Sequence, residues 1–573
     1  MLLPTSLAAG LPGISDMWKE YFVRFLYWLL AAVGFSHEFL LKLLRNRIRH
    51  PQWARIVRDT ADRDAFTSKR DGPRVLLLSM IGNMPLTNLE IPLALALQAR
   101  GAKVEFVLCD GTQRPLCPVL TVDALEKKNK QEICRYCIYN AQEMLRRVPF
   151  LRYRTLSELV SESRNDELSR LAETIPADEI ASFEEDGVRL GYAALQTALR
   201  YWRRGTFRGT ADEESINRKM LHSALLTLEA CKVLSQEGPI DIALFSHGLY
   251  ESWGPAADFF GREKVYWATY GEMPMAGRYA FYANASNRLA NISAPFKANW
   301  SDRPLTGEQR QQTLDYLRSR VDFSQDTMKL TFGSPVEKEH VFERLDLRSE
   351  IPVFALFGNV AWDAAAVGRD LIFGNFVEWV CETIEFVSRY PDTLQLVIKP
   401  HPSELIRGTR QSVMEEVERA FPRLPANVRL LATDTDIHAH SIMAAADAGI
   451  VHTSTVGMEM SMLGIPAIVT SWTHYRGYGF TFDPESREQY FEMLSDPRAL
   501  AREMTSERKE LAIKYFYVRN FRSAHDLSLV MLDGNRVPYG WNMGSLDDLL
   551  PGRNAALDFV CDSILSKSEN FLQ

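Results

Sequence analysis

Arg74-Val75-Leu76-Leu77-Leu78-Ser79-Met80 is an unbroken apolar run that meets a turn-forming loop, Gly82-Asn83-Met84-Pro85. A strand that is apolar at every position, rather than at alternate ones, is covered on both faces, as in a parallel sheet. A helix with Leu89, Ile91, Leu93, Leu95 and Leu97 follows, Gly101 ends it, and Lys103–Leu108 is a second strand. Strand, helix and strand make one βαβ unit, the opening of a Rossmann-like half. The glycine loop lacks both the GxGxxG spacing and a Walker Lys-Ser/Thr ending, so it supports neither a dinucleotide fingerprint nor a P-loop.

Outward from this unit, residues 140–235 read as helical with charged faces and no strand-like runs. Ile240–Phe245 is a strand ending in Ser246-His247-Gly248-Leu249-Tyr250-Glu251, and Lys264–Ala268 is another. Residues 284–350 are polar and helical. A second α/β series then opens with Ile351–Phe357 and its loop Gly358-Asn359-Val360-Ala361-Trp362-Asp363. It continues through a helix at about 376–390, the strand Leu394–Lys399, the strand Val428–Leu431 and an apolar run at 448–451. The expected fold is α/β and GT-B-like: two Rossmann-like domains facing a cleft, with an N-terminal amphipathic helical segment. The expected boundaries are membrane-associating helices at 1–50, an acceptor domain at 51–300, a helical linker at 301–350, a donor-nucleotide domain at 351–500, and helices at 501–573 packing back on the N-terminal domain.

Chemistry-bearing groups gather at two strand ends of the second half. Val451 runs into Thr453-Ser454-Thr455, and a helix starts near Gly457. Hydroxyls and unpaired N–H groups at a helix start suit phosphate; helix capping is the alternative role for the same residues. Lys399 and His401, in Lys399-Pro400-His401-Pro402, add charge or a hydrogen bond. Glu459, one turn beyond Thr455 on the same face, is placed to grip a ribose or base. In the first half, Glu251 and His247 just past a buried strand, with Glu90 past the glycine loop, are the candidates for a base that deprotonates an acceptor hydroxyl. Glu185-Asp186-Gly187 reads as a charged helical run, and Asp434-Thr435-Asp436 as turn chemistry.

Lys399-Pro400-His401-Pro402, Thr453–Glu459 and Tyr475-Arg476-Gly477-Tyr478-Gly479-Phe480-Thr481 together resemble the bacterial capsule polysaccharide biosynthesis glycosyltransferases, a group that includes Kdo transferases. The likeness is strongest over about 351–485, takes in Asn359 and Asp363, and fades in the first half. It implies that His401, with Ser454 and Thr455, contacts a nucleotide and its phosphate, and it brings Asn359 and Arg476 into the donor set. The activity it implies is transfer of a sugar from a nucleotide-sugar donor, CMP-linked in some relatives, to a glycan or glycolipid acceptor of a capsule or lipopolysaccharide. Inversion by single displacement is expected, with no divalent metal needed for transfer. A teichoic-acid-type polyol-phosphate transferase and a non-catalytic scaffold of a polysaccharide assembly complex are the competing readings.

The chain of 573 residues is too long for one core. Its net charge of -7 argues against nucleic-acid binding. Trp18, Tyr21, Phe22, Phe25 and Trp28, then Phe39 to Leu44, precede the basic cluster Lys42, Arg45, Arg47 and Arg49. The uncharged centre is shorter than the about 20 apolar residues needed to span a bilayer, so the reading is an interfacial helix or hairpin peripheral to the cytoplasmic face of the inner membrane. Cys109, Cys117, Cys134 and Cys137 are spaced for structural zinc or stand as buried free thiols; both readings stay open here, as does the oligomeric state.

Overall fold

The computed structural model describes residues 53–67, 71–82, 84–113, 116–119, 130–286, 292–326, 332–363, 366–532 and 538–573. The membrane-associating segment expected at 1–50 lies outside the described residues. Among the described residues no helix is long and apolar enough to cross a membrane.

The principal elements run, in chain order, β1 (Arg74–Ser79), α1 (Met84–Ala99), β2 (Lys103–Leu108), α2 (Lys130–Arg146), β3 (Arg152–Thr155), β4 (Ile242–Ser246), α3 (Tyr250–Arg262), β5 (Tyr266–Glu272) and β6 (Arg278–Ala283). They continue with α4 (Gly307–Ser319), β7 (Val353–Phe357), α5 (Phe376–Ser388), β8 (Gln395–Lys399), β9 (Val428–Leu430), α6 (Ala439–Ala445), β10 (Ala448–Val451), α7 (Val456–Leu463), β11 (Ala467–Val469), β12 (Ala524–Asp526) and α8 (Ala555–Leu565). The chain divides into two compact units. The first takes the described residues of Met1–Leu195, Glu214–Asn287 and Ala524–Phe571; the second takes those of Gln196–Glu213, Arg288–Ser523 and Leu572–Gln573.

In the first unit the opening apolar run becomes the central strand. Val75, Leu76 and Leu77 are fully buried, and β1 pairs in parallel with β2 on one side and β4 on the other. The sheet order is β12-β6-β5-β4-β1-β2-β3, with β6 and β12 antiparallel at one edge. The second unit carries the order β11-β10-β7-β8-β9, parallel throughout. Both sheets wind outward from their first strand in both directions. The topological switch points, where α/β sheets open a crevice beyond the strands' carboxyl ends, fall between β1 and β4 and between β7 and β10.

The second core shows how sequence builds these layers. Asn375 caps α5 by accepting hydrogen bonds from the N–H groups of Val377 and Glu378. Trp379, Val380, Ile384 and Val387 recur at helical spacing and are buried against Phe354, Leu356, Leu396 and Ile398 of the sheet. Each such side chain contributes about 1.5–3 kcal/mol on burial. Helix α7 lies so close to β10 that a Cβ on Gly457 would meet the Tyr475 hydroxyl at 2.7 Å and Val451 Cγ2 at 2.8 Å.

Several readings change. Residues 140–235 contain a strand after all: β3, whose text Arg-Tyr-Arg-Thr is exposed at its start and has no apolar run to announce it. Glu185-Asp186-Gly187 is not helical. Asp186 and Gly187 have φ of 52° and 71° and turn the chain so that Glu185 bridges Val188, while Lys232 pairs with both Glu185 and Asp186. Residues 301–326 and 332–350, expected as a linker, belong to the second unit. The 501–573 segment divides, with 501–523 in the second unit and 524–571 in the first.

Candidate functional site

The carboxyl ends of β7, β8 and β10, adjacent in the second sheet, open onto one cavity. Phe357 and Gly358, Lys399–Pro402, and Ser454–Val456 line it, with Glu459 of α7. Water centres have about 120 Å³ to occupy there. That is well above the roughly 10–15 Å³ needed to admit a single water and below the about 300–1,000 Å³ of ordinary ligand pockets. Sequence reasoning singled out Lys399, His401, Ser454, Thr455 and Glu459, and the fold brings all five together.

Their states follow from their surroundings. Lys399 is 5% exposed, and burial pulls its ammonium down to about 8. Burial, with the positive charges of Arg407 and Lys399, pushes the His401 imidazole down to about 4. His401 Nδ1 accepts from the Ser403 N–H at 3.0 Å, so the neutral ring carries its proton on Nε2. His401 is therefore a hydrogen-bond donor rather than a charge. Ser454 Oγ accepts from the Val456 N–H at 3.3 Å, while Thr455, at the start of α7, makes no side-chain cap.

Glu459 is clamped by a residue that sequence reasoning passed over. Arg320 follows the last turn of α4 and donates from Nε to Glu459 Oε1 at 3.1 Å. Its Nη1 donates to Asp326 Oδ2 at 2.8 Å, and Tyr316 donates to the other Asp326 oxygen at 2.7 Å. Burial opposes the Arg320 charge, but the carboxylates of Glu459 and Asp326 outweigh it and raise its pKa. Phe323, His438, His440 and Met443 also line the cavity without having been foreseen. The text His438-Ala439-His440 was a usable signal, since it stands between two strands, β9 and β10, of the site's own sheet.

Other expected donor residues take supporting places. Thr453 does not line the cavity among the described residues. Its neighbour His452 is held by Asp370 at 2.9 Å and Thr470 at 3.1 Å and stacks on Trp379, which fixes the loop after β10. Tyr475 donates to the Ser454 carbonyl at 2.5 Å. The Arg476 guanidinium is spent on the carbonyls of Val469 and Pro484. Tyr478 and Phe480 pack on Tyr515, so the Tyr475–Phe480 motif buttresses the site from behind. Asn359, on the loop after β7, is 6% exposed, and neither amide atom meets a partner among the described residues.

The first unit separates the three acceptor-base candidates. Glu90 is buried against Ser79 and Tyr270, and burial raises its carboxyl to about 7. Glu251 is fully buried and accepts from Ser252 at 3.2 Å. His247 stands at the carboxyl end of β4, beside that sheet's switch point. It is only half-buried and has a left-handed φ of 58°, with Gly248 and Tyr250 also at positive φ. Such strained runs collect at functional loops. Burial raises the thiols of Cys109, Cys117 and Cys137, with Asp110 adding to it at Cys109, Glu251 at Cys117 and Cys109 at Cys137. Among the described residues, no three His, Cys, Asp or Glu side chains are grouped to hold a metal.

No curated protein matches the sequence. Solved structures share slight likenesses: Thermosulfurimonas dismutans KpsC, beta Kdo 2,4 transferase, has 12% identity and a TM-score of 0.32 over 49% of this chain and 80% of that one. The KpsC beta Kdo 2,7 transferase of the same organism has 14% identity and a TM-score of 0.31 over 54% and 86%. UDP-GlcNAc 2-epimerase from Neisseria meningitidis has 10% identity and a TM-score of 0.24 over 77% and 97%. These likenesses are too slight to carry an activity. Residues 376–514, which hold β8 to β11 and most of the cavity's lining, match the family of capsule polysaccharide biosynthesis proteins.

Proposed function

We propose that this chain is a glycosyltransferase of surface-glycan synthesis whose second unit binds a nucleotide-linked sugar. One observation carries the reading: a buried cation, Lys399, a neutral donor, His401, the Ser454–Thr455 turn and the clamped carboxylate Glu459 line a single cavity at the switch point of a parallel sheet. Lys399 and the turn suit phosphate. Glu459, an acceptor held rigid by Arg320, suits the hydroxyls of a ribose. The family match over the same strands supports a role in capsule synthesis.

His247 is our choice for the group that deprotonates the acceptor hydroxyl, because Glu90 and Glu251 are enclosed while His247 is half-buried on a strained strand-end loop. Attack on the donor would then proceed by single displacement, with inversion. Residues 1–50 would hold the protein at the cytoplasmic face of the inner membrane; unchanged membrane partitioning after their deletion would remove that element. Structural zinc at Cys109, Cys117, Cys134 and Cys137 rests on their sequence spacing alone, and elemental analysis of purified protein decides it.

The test of the whole reading is a thermal-shift panel of CMP-, UDP-, GDP- and CDP-linked donors with the full chain. One nucleotide class should raise Tm by mass action, and a CDP-polyol preference would favour polyol-phosphate transfer. Lys399→Met should weaken that ligand about tenfold or more, the scale of a lost charged hydrogen bond. His247→Ala should leave binding intact and lower kcat by about 10²–10⁴. A chain that no nucleotide shifts would end the proposal.

A further inference from the structure

His440 lines the cavity from the first turn of α6. Both its ring nitrogens are buried, and neither meets a hydrogen-bonding partner among the described residues. Buried polar groups in folded proteins are nearly always paired, so an imidazole orphaned at both nitrogens and set in a cavity wall asks for a ligand. The alternative is a helix-capping role, and here its neighbour already fills it. His438 caps α6, its Nδ1 accepting from the His440 N–H at 3.1 Å, and its ring lies 5.1 Å from that of His440.

The surroundings define what His440 can recognise. Arg320 stands on the same cavity wall with its charge committed to Glu459 and Asp326. That positive charge, added to burial, disfavours the imidazolium of His440. A neutral imidazole offers one N–H donor and one acceptor and has no charge to give a phosphate. Lys399, the last residue of β8, supplies a second positive charge to this cavity.

We propose that His440 is a specificity-determining residue that hydrogen-bonds the heterocyclic base of the bound nucleotide. The inference rests on the nucleotide reading above and adds an order to the cavity: phosphate at Lys399 and the Ser454–Thr455 turn, ribose at Glu459, base at His440.

The experiment is calorimetric binding to the full chain of the nucleoside monophosphate that stabilises the wild type most, with ribose 5-phosphate as the base-free control. His440→Phe keeps the ring and its packing while deleting both nitrogens. It should lose about 5–10-fold in affinity for the nucleotide, the scale of one neutral hydrogen bond, and nothing for ribose 5-phosphate. Its Tm should be unchanged or higher, because no protein partner is lost. His440→Gln, which restores a donor and an acceptor, should recover part of the affinity. Equal nucleotide affinity in wild type and His440→Phe overturns the inference and leaves the nucleotide reading standing. So does an equal loss for both ligands, which would place His440 on the sugar phosphate. A wild type that binds no nucleotide brings down the nucleotide reading and this inference together.

Discussion

Glu404 sits three residues past His401 and is 3% exposed. Its Oε1 accepts from the Val413 N–H at 3.2 Å, and its Oε2 is buried without a partner among the described residues. Burial, with Glu415 adding to it, raises its carboxyl to about 8 against the Val413 bond. The unfolded chain releases this proton near 4.5, while the folded chain keeps it until about 8. Between those values the folded state holds more protons, so Glu404 makes stability fall as pH rises from about 5 to 8. Glu404→Gln should flatten that fall, leaving the variant as stable as wild type near pH 5 and more stable at pH 8 by urea denaturation. A parallel decline in both proteins would show that Glu404 ionises freely. The same logic marks what the sequence could disclose at this scale. Lys399, His401 and Ser454 were legible because they follow apolar runs, where strand-end loops must lie. The place of His440 between two strands was legible too, but its role was not, because an imidazole's lack of partners exists only once the chain has folded.

The turn from β10 into α7 is the element on which the second unit's cavity depends, and Gly457 sets its closeness. A Cβ there would press on the Tyr475 hydroxyl and on Val451, both in the packed interior. Alanine is a better helix former than glycine by about 1 kcal/mol, yet overpacking costs about 1–3 kcal/mol. Gly457→Ala should therefore destabilise the protein, or at best leave it unchanged. The hydroxyl it displaces holds the Ser454 carbonyl, so nucleotide affinity should fall too. A stabilised variant with full affinity would mean that α7 can move away from β10 at no cost. Central strands announce themselves in the sequence because both faces are covered; β1, β4, β7 and β8 are all apolar runs of this kind. The two edge strands of the first sheet carry no such mark. β3 is Arg-Tyr-Arg-Thr and β12 is Ala-His-Asp, and backbone pairing rather than hydrophobic pattern makes each of them a strand.

At the scale of the molecule, cavity size does not locate the site. The first unit has a cavity of about 640 Å³ beside Arg262, Lys264, Tyr266 and Lys567, at the amino end of β5 and so away from that sheet's switch point. Its cations have a local explanation: Arg262 occupies the last turn of α3 and Lys264 lies just past it, while Lys567 lies just past α8. Positive charge there complements the negative ends of two helix dipoles. The two units are also interleaved along the chain in a way composition cannot reveal, because a linker and a crossing segment are equally polar. Residues 524–571 complete the first unit from the far end of the sequence. β12 pairs with β6, and Leu557, Val560, Cys561 and Ile564 of α8 are at most 1% exposed within that unit's core. At about 1.5–3 kcal/mol each, Leu557, Val560 and Ile564 alone contribute roughly 4.5–9 kcal/mol, comparable to the whole stability of a typical domain, about 5–15 kcal/mol. A chain ending at Ser523 should therefore lose the first unit's fold while keeping the second's. Hydrogen exchange should show β1 to β6 unprotected and β7 to β11 protected. The truncated protein should also retain the thermal shift with nucleotide, because all the lining residues of the second unit's cavity lie before residue 523. Full protection of β1 to β6 in the truncated chain would mean that the first core closes without its C-terminal strand and helix.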